Sequence, residues 1–398
     1  MKKGWTYKKL GEVGSTQTGT TPSKSNPDNY GDHIPFIRPA EISADGSGHI
    51  NYDSEIKLSQ EGLNNGRLFK KGSILMVCIG TIGKLGFADE NISCNQQINV
   101  LTPNEKYVPK YVFYAMSNPS FQRESLKIAQ GAQATIPIIN KGKWSNLLIP
   151  IPPTMDEQKR IVSRLDSAFS HIDELKANAE KQLSEARALF QKSLAKAMEP
   201  KEGWEEKTLK EICSVITDGT HHSPTNLLTG KYKYITAKNI KPWGLDLSNI
   251  TYVSEDVHRE IIARCNPQKG DVLYIKDGAT TGIAIINPLD EEISILSSVA
   301  LIRPQKKILL SKYLCYALNS PSIYKQTRNQ MDGAAITRVT LVKIKGFSIP
   351  LPSLLEQQRI VKRLDALSAH VRELEENQKK IISECDALKQ ALLRKVFE

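Results

Sequence analysis

The chain has 398 residues, of which 40% are hydrophobic and 24% are charged, a composition that is typical of a globular protein and excludes a disordered chain. This length leaves room for two or three domains with buried cores. The net charge of +11 favours a polyanionic partner, because Lys and Arg neutralise phosphates, although many basic proteins bind no nucleic acid.

Neither targeting signals nor disulfide patterns are found. No run approaches the roughly 18 apolar residues of a membrane span, and the start, MKKGWTYKKLGEV, lacks the apolar stretch of a signal peptide. No CxxC pair occurs among the cysteines, which are Cys78, Cys94, Cys213, Cys265, Cys315 and Cys385. The sequence therefore predicts a cytoplasmic protein with no disulfide framework and no structural zinc.

The sequence repeats itself at a spacing of roughly 200 residues. Five segments return in the same order: GW at Gly4 and Gly203, IPFIRPAEI and YKYITAKNI from Ile34 and Tyr232, KGSILMVCIGTIGKLG and KGDVLYIKDGATTGIA from Lys71 and Lys269, YVFYAMSNPSFQ and YLCYALNSPSIY from Tyr111 and Tyr313, and IPIPPTMDEQKRIVSRLD and IPLPSLLEQQRIVKRLD from Ile149 and Ile349. The chain is therefore interpreted as a tandem duplication.

Each copy begins with short β-like runs separated by Gly, Asn and Pro, such as SILMVCIG and INVLTP. One helix is predicted among them, near Pro109 to Ser117 and again near Lys312 to Leu318. This part of each copy is predicted to be a compact α+β domain.

Each copy then continues into a long helix. Thr154 with Glu157, and Ser353 with Glu356, form capping boxes after Pro-rich segments. Apolar residues follow at alternating spacings of four and three, which is typical of a coiled coil. They are Ile161, Leu165, Ala168, Ile172, Leu175, Ala179, Ala186 and Leu189 in the first helix, and Ile360, Leu364, Leu367, Val371, Leu374, Ile381, Cys385, Leu388 and Leu392 in the second, where Gln378 interrupts the series.

Connectivity predicts that these helices pair antiparallel, since only Pro200, Lys201 and Glu202 separate the first helix from the second domain. The predicted fold class is α+β, with two tandem domains separated by two long helices that form an antiparallel coiled coil. The predicted boundaries are 1–152, 153–199, 200–352 and 353–398. A rod of about 65–70 Å would result. The alternative is two helices that each pack on their own domain.

The chain resembles the specificity subunit of Type I restriction–modification enzymes over its whole length. The resemblance rests on the order and duplication of several segments: Gly4-Trp5 with Leu10-Gly11-Glu12, Thr18-Gly19-Thr20-Thr21-Pro22, the IPFIRPAEI and KGSILMVCIGTIGK stretches, Gln130-Gly131-Ala132-Gln133-Ala134, and the PIPP…DEQKRIV and PLPSLLEQQRIV helix starts.

This resemblance implies two target-recognition domains, each reading half of an interrupted sequence in double-stranded DNA. It also implies two modification subunits that carry S-adenosylmethionine and methylate adenine, with or without restriction subunits that use ATP and Mg²⁺. The subunit itself would be non-catalytic, without cofactor or metal. In copy two, TGTTPS becomes DGTHHSP, from Asp218, so we expect an asymmetric target.

An enzymatic role is the first alternative. Asn118-Pro119-Ser120-Phe121 resembles the tetrapeptide of amino-methyltransferases, but copy two reads Asn319-Ser320-Pro321-Ser322 and neither copy has a Gly-rich cofactor loop before it. A helix end followed by a turn is the preferred interpretation. His221 and His222 lack a matching metal ligand and are interpreted as donors to DNA.

Base reading requires directional donors and acceptors in loops, such as Arg or Lys for guanine and Asn or Gln for adenine. The candidates are Thr20, Lys24, Arg38, Lys84, Gln96, Gln97, Gln133 and Thr135 in copy one, and Thr220, His221, Lys238, Asn239, Lys276, Thr280, Ser298, Thr337 and Arg338 in copy two. A structural or phosphate-contacting role remains the alternative for each residue singly.

The duplicated EQxRIV helix starts are predicted to bind the modification subunits. The candidate docking residues are Arg160, Ile161, Arg164, Arg359, Ile360 and Arg363. The second functional alternative is a coiled-coil adaptor that only joins proteins and binds no specific DNA sequence.

Overall fold

The computed structural model describes residues 2, 4–130, 136–329 and 338–398. The chain divides into two compact units: unit 1 is Met1–Glu180 with Lys379–Glu398, and unit 2 is Lys181–Gln378. Each unit therefore contains one β-rich domain, the beginning of one long helix and the end of the other.

The elements follow one another twice in nearly the same order. Up to Ala197 they are β1 (Thr6–Lys9), α1 (Leu10–Val13), β2 (Gly14–Thr18), β3 (Tyr30–Ile37), β4 (Lys57–Leu58), α2 (Gln60–Asn64), β5 (Ile74–Val77), β6 (Leu85–Phe87), β7 (Ser93–Cys94), β8 (Ile98–Pro103), α3 (Pro109–Ser117), α4 (Pro119–Gln130), α5 (Lys141–Ser145), β9 (Leu148–Ile151) and α6 (Met155–Ala197).

The second series contains one additional hairpin, β13–β14. Its elements are β10 (Glu205–Thr208), α7 (Leu209–Ile212), β11 (Cys213–Asp218), β12 (Tyr232–Ile235), β13 (Ile240–Lys241), β14 (Gly244–Leu245), β15 (Thr251–Val253), α8 (Glu255–Arg264), β16 (Val272–Ile275), β17 (Ala284–Ile286), β18 (Ile293–Ile295), β19 (Val299–Pro304), α9 (Ser311–Leu318), α10 (Pro321–Asn329), α11 (Leu341–Lys345), β20 (Ser348–Leu351) and α12 (Leu354–Phe397).

Each unit contains a four-stranded antiparallel sheet, ordered β2-β8-β5-β6 in unit 1 and β11-β19-β16-β17 in unit 2. A three-stranded sheet with one parallel pair accompanies it, β4-β3-β7 or β15-β12-β18. A third, two-stranded sheet joins the first strand of each domain to the strand before the long helix, β1 with β9 and β10 with β20. The matching topology confirms the predicted duplication and the α+β class.

The central strand of each large sheet is buried on both faces. In β5, Ile74 and Met76 pack in one core while Leu75 and Val77 pack in another. Because successive side chains of a strand point to opposite faces, a run of four apolar residues fills two cores at once. The first of these cores also receives α3 and the long helices, so each sheet rests on helices by one face.

The predicted helices near Pro109 and Lys312 are confirmed as α3 and α9. The prediction of a single helix in each domain was wrong, since α4 and α8 are also present, together with several helices of one turn. The short helices span too few residues to show a 3.6-residue period, and α4 and α8 are polar.

The long helices begin at the predicted capping residues. The Thr154 hydroxyl accepts a hydrogen bond from the Glu157 backbone N–H at 3.2 Å. The Ser353 hydroxyl accepts from the Glu356 N–H at 3.4 Å. These bonds satisfy one of the free N–H groups of the first turn and fix where α6 and α12 start.

The two helices pair antiparallel within each unit. In unit 1, Lys176 lies 2.8 Å from Asp386, and Asp173 forms an ion pair with Lys389. In unit 2, the Gln378 amide donates to Gln182 at 3.0 Å, and Arg187 lies 2.7 Å from Glu375. Residue numbers rise along α6 as they fall along α12, which confirms the predicted direction.

Only part of the predicted seam is buried. Leu165, Ile172, Ala179 and Ala186 are buried at every seventh position of α6, whereas Leu175, Leu189, Ile381 and Leu388 are exposed. Gln378 belongs to the seam, because it is itself buried and bonded to the facing helix. Within the described helices, none combines the length and apolarity that a membrane crossing needs.

Both chain ends lie in unit 1. The Lys2 amine donates to the Lys395 carbonyl at 2.8 Å. The Trp5 ring packs edge-on against Phe397, with centroids 6.5 Å apart, and Phe397 belongs to the same core as Tyr111. The end of α12 therefore completes the core in which the chain starts.

A buried glutamine connects each domain to its long helix. In unit 1, Gln158 accepts from the Val108 N–H at 2.9 Å, just before α3. In unit 2, Gln357 accepts from the Leu310 N–H at 2.9 Å and donates to the carbonyls of Ile308 and Pro352 at 2.8 and 2.9 Å. The side-chain amide thus satisfies backbone groups that burial would otherwise leave unpaired.

We predict that Gln357→Leu lowers the free energy of unfolding of unit 2 by about 1–3 kcal/mol, because it leaves one backbone N–H and two backbone carbonyls without the partner that the buried amide supplies. Gln358→Leu is the matched control, since its neighbouring side chain is exposed. Hydrogen exchange at residues 311–318, measured by mass spectrometry, should accelerate for the first variant alone. Equal exchange in both variants would contradict the structural role of Gln357.

Candidate nucleic-acid interface

In each unit, one end of the four-stranded sheet is surrounded by loops. In unit 1, β2 and β5 end there and β6 and β8 begin; in unit 2, β11 and β16 end there and β17 and β19 begin. We call these ends loop edge 1 and loop edge 2. The parallel pair of the smaller sheet ends at the same place, since Ile37 pairs with Cys94, whose carbonyl accepts from the Thr20 N–H at 2.9 Å.

Loop edge 1 brings together the copy-one candidates that the structure describes, which are Thr20, Lys24, Arg38, Lys84, Gln96 and Gln97. Gln133 and Thr135 lie outside the described residues. These six residues come from four separate stretches of sequence, yet each follows or precedes a strand at this one end. Such a cluster of polar loops on a rigid sheet is suited to binding.

Several of these side chains already have partners within the protein. The Lys84 amine donates to the Pro39 carbonyl at 2.6 Å. Arg38 forms an ion pair with Glu41 at 2.5 Å, and this hydrogen bonding raises the pKa of Arg38 above its ordinary value. Gln96 accepts from the Thr21 hydroxyl at 2.5 Å. These contacts fix the orientation of the loops, while Lys24 is exposed in a turn.

Loop edge 2 collects the copy-two candidates Thr220, His221, Lys238, Asn239, Lys276, Thr280, Ser298 and Arg338. Thr337 lies outside the described residues. The exposed members are His221, Lys238, Thr280 and Arg338. The remaining four are half-buried or buried, so they are less available to an external partner.

A charged network lies at loop edge 2. The Asp218 carboxylate, at the end of β11, lies 2.7 Å from Arg264, 3.4 Å from Lys276 and 3.2 Å from His221. Asp277 lies 3.0 Å from Lys276 and 3.3 Å from Arg338. Two carboxylates are thus shared among one Lys, two Arg and one imidazole, so basic side chains outnumber acidic ones in this network.

The structure places two copy-two candidates differently from the sequence prediction. Lys276 is only 1% exposed and its amine points at Asp218 and Asp277. Asn239 is buried and caps its own turn, accepting from the Thr236 N–H at 3.0 Å and donating to the Asp246 carbonyl at 3.2 Å. Both side chains therefore act here by holding neighbouring groups, because their polar atoms are turned into the protein.

The same position is built differently at the two edges. At loop edge 1, the Thr18 hydroxyl donates to the Asn99 amide oxygen at 2.7 Å, where loop edge 2 has the ion pair of Asp218 with Lys276. Cys78 occupies the place of Lys276, and burial raises its pKa to about 12, so its thiol stays neutral. The equivalent position of the scaffold therefore has a neutral hydrogen-bonded pair in unit 1 and a buried ion pair in unit 2.

Two arginines at these edges were missed by the sequence analysis. Arg67 donates from Nη1 to the Thr18 carbonyl at 2.5 Å, and Arg264 donates from Nη2 to Asp218 at 2.7 Å. Both side chains precede the Lys-Gly segment of their copy, one position out of register with each other. The shared position before the Lys-Gly segment could have identified the two arginines as a repeated feature. Because α2 and α8 differ in length, the two positions do not align in the sequence.

The tetrapeptide at Asn118 has a structural role. Its side-chain oxygen accepts from the N–H groups of Ser120 and Phe121 at 2.8 and 3.1 Å, which caps α4, and Phe121 is buried in the core. The predicted helix end is confirmed, but the predicted turn after it was wrong, because α4 begins directly at Pro119. Among the residues that the structure describes, no group of His, Cys, Asp and Glu is placed to hold a metal ion.

The helix starts present two different faces. Ile360 is buried in the core of unit 2, so its prediction as a docking residue is corrected, whereas Ile161 is half-buried against the core of unit 1. Arg160, Arg164, Arg359 and Arg363 are exposed. The four arginines are therefore the candidate docking residues that are most open to a partner.

A family model described as "Type I restriction modification DNA specificity domain" matches the chain twice, at residues 2–185 and 201–384. The specificity subunit of the Type I restriction enzyme EcoBI from Escherichia coli is 22% identical over 420 residues, covering 99% of this chain and 85% of that relative. The HindI specificity subunit from Haemophilus influenzae is 30% identical over 196 residues, covering 48% of this chain and 40% of its own length.

Solved structures share the fold. A chain from a study of complex assembly and conformational transition in the type I R-M system superposes with a TM-score of 0.78 at 22% identity, covering 100% of this chain and 98% of that one. The HsdS subunit from Thermoanaerobacter tengcongensis superposes with a TM-score of 0.56 at 22% identity, covering 100% and 97%.

We predict that Lys276→Met lowers the free energy of unfolding of unit 2 by about 3 kcal/mol, because it removes the cation that two buried or half-buried carboxylates share. Lys238→Met, at the same edge but exposed, should change stability by less than about 0.5 kcal/mol. Urea unfolding monitored by hydrogen exchange in β16 measures both. A loss no greater than that of the control would show that the network does not hold loop edge 2.

Proposed function

The chain belongs to the Type I restriction modification DNA specificity family, and on this premise we propose that it reads an interrupted, asymmetric sequence in double-stranded DNA. Each loop edge reads one half of that target. The chain recruits two adenine-methyltransferase subunits, with or without restriction subunits. It performs no chemistry itself, and S-adenosylmethionine, ATP and Mg²⁺ belong to its partners.

The observation that carries this proposal is the pair of loop edges on one repeated scaffold. Both units have the same sheets, the same buried glutamine and the same start of the long helix. The polar groups at the two loop edges differ. Loop edge 1 has Thr18 with Asn99, and loop edge 2 has Asp218 with Lys276. A protein that binds one ligand twice has no need of this difference, while two unlike half-sites require it.

Charge supports a DNA partner at both edges. The chain carries a net charge of +11, and exposed Lys24, Arg67, Lys238 and Arg338 lie at the edges. Cations of this kind hold phosphates and set the register of a reader on the duplex. Such a protein would act in the cytoplasm, where bacterial and archaeal DNA is accessible.

We predict that the chain, expressed with a modification subunit, directs adenine methylation to one interrupted motif. Exchanging residues 14–147 for those of a relative should change one half of the motif and leave the other half intact. This exchange keeps β1, β9, α6 and α12, and therefore the helical framework. Single-molecule sequencing of the host genome measures the motif.

The matched control is the exchange of residues 213–347, which should change only the other half. Changes in both halves after either exchange would contradict the assignment of one half to each unit. If the proteins co-purify but no motif is found, the protein-adaptor alternative becomes the better description.

Recruitment is proposed to use the exposed arginines of the two helix starts. Arg160 and Arg164 extend from the start of α6, and Arg359 and Arg363 from the equivalent positions of α12. The buried faces of the same helices hold Gln158 and Gln357. Since the motif recurs once in each unit, two equivalent docking sites result, one for each modification subunit.

We predict that reversing both charges in one start, Arg160→Glu with Arg164→Glu, removes one modification subunit, and that Arg359→Glu with Arg363→Glu removes the other. All four side chains are exposed, so the fold should be retained. Native mass spectrometry gives the stoichiometry. Lys192→Glu, on the exposed surface of α6 far from its start, is the control, and full assembly of the double variants would refute this docking site.

A further inference from the structure

We propose that Arg264, held by the buried carboxylate of Asp218, reads a guanine in the half-site of unit 2. This inference rests on the proposed function and adds a specificity-determining residue to it. Asp218 is the positioning residue, since it would touch Arg264 and not the base.

The position of Arg264 is favourable for a contact outside the protein. It is the last residue of α8, and its side chain is 53% exposed. Its Nη2 lies 2.7 Å from Asp218 Oδ1 and 3.1 Å from His221 Nε2. Within the part of the chain that the structure describes, Nε and Nη1 of Arg264 have no hydrogen-bond partner, so these donors remain for a ligand.

The carboxylate that holds Arg264 is unusually fixed. The Asp218 side chain is only 3% exposed and also lies 3.4 Å from the buried Lys276 amine. A guanidinium bonded to such a group loses little conformational entropy when it binds, because its plane is already oriented. Pre-orientation of this kind is what a base contact needs.

Base reading explains this arrangement better than phosphate binding. A phosphate contact depends on positive charge, which the ion pair with Asp218 reduces. A guanine contact depends on the direction of a donor toward O6 or N7, which the ion pair defines. Arg67 provides the comparison, since at the equivalent place of loop edge 1 it is bonded to a neutral carbonyl and keeps its full charge.

The test uses the complete chain in complex with its modification subunits. The wild-type methylation motif is mapped first, and a wild-type complex without any motif would refute the proposed function itself. Arg264→Gln is then mapped in the same host. We expect one guanine in the half-site of unit 2 to become degenerate, with discrimination at that position falling about tenfold to hundredfold, while the other half is unchanged.

Two controls separate reading from other roles. Arg259→Gln removes an exposed arginine of the same helix that is also paired with a carboxylate, Glu255 at 2.6 Å, and should leave the motif unchanged. Arg67→Gln should leave the half-site of unit 2 unchanged. If Arg264→Gln does not fold, Arg264→Lys replaces it: this variant keeps a cation beside Asp218 and should weaken discrimination at that guanine without abolishing it, with an unchanged melting temperature.

Other results overturn the inference. A uniformly lower methylation level with an intact motif, together with a smaller salt dependence of binding, identifies Arg264 as a phosphate contact. An intact motif with unchanged methylation shows that Arg264 only stabilises the fold. Asp218→Asn tests positioning: it should weaken discrimination at the same guanine and at no other base.

Discussion

The hydrogen bonds of the buried glutamines Gln158 and Gln357 are the constraint on which the rest of the structure depends. Each amide pairs with the backbone just before α3 or α9, and these helices pack on the face of the large sheet. A polar group buried in this way is costly to leave unpaired. The glutamine therefore ties the position of the sheet to the start of the long helix, and the loop edges follow from the sheet.

This connection belongs to the part of each unit that is the same in both repeats, whereas the loop edges differ between the repeats. Tyr111 and Tyr313 repeat the same contact, each donating to a proline carbonyl, Pro150 or Pro350, at 2.8 Å. At the loop edges the repeated bonds join backbone groups, as from the Thr20 N–H to the Cys94 carbonyl and from the Thr220 N–H to the Ile295 carbonyl, while the side chain of Thr18 is replaced by that of Asp218. Sequence can change at the loop edges without disturbing the helices, because the contacts that fix the helices lie elsewhere.

The duplication, the fold class and the antiparallel helices could be predicted from the sequence because they depend on order and periodicity. The candidate residues converged on one edge because strand ends meet there. Burial could not be predicted: Lys276 looks like an exposed loop lysine until Asp218, distant in sequence, is placed beside it. The role of Gln357 could not be predicted either, because its partners Leu310 and Ile308 are distant in sequence. Its motif was therefore interpreted only as a docking surface. Pairing across distant segments, not composition, decided both cases.

The meeting of both chain ends in unit 1 has a topological consequence. Lys2 bonds to the end of α12, and Trp5 packs on Phe397, so a short linker could join the ends without passing through a core. Chains whose ends lie close together tolerate circular permutation. Unit 1 is therefore expected to keep its core when these two segments are joined covalently and the chain is opened at an exposed loop.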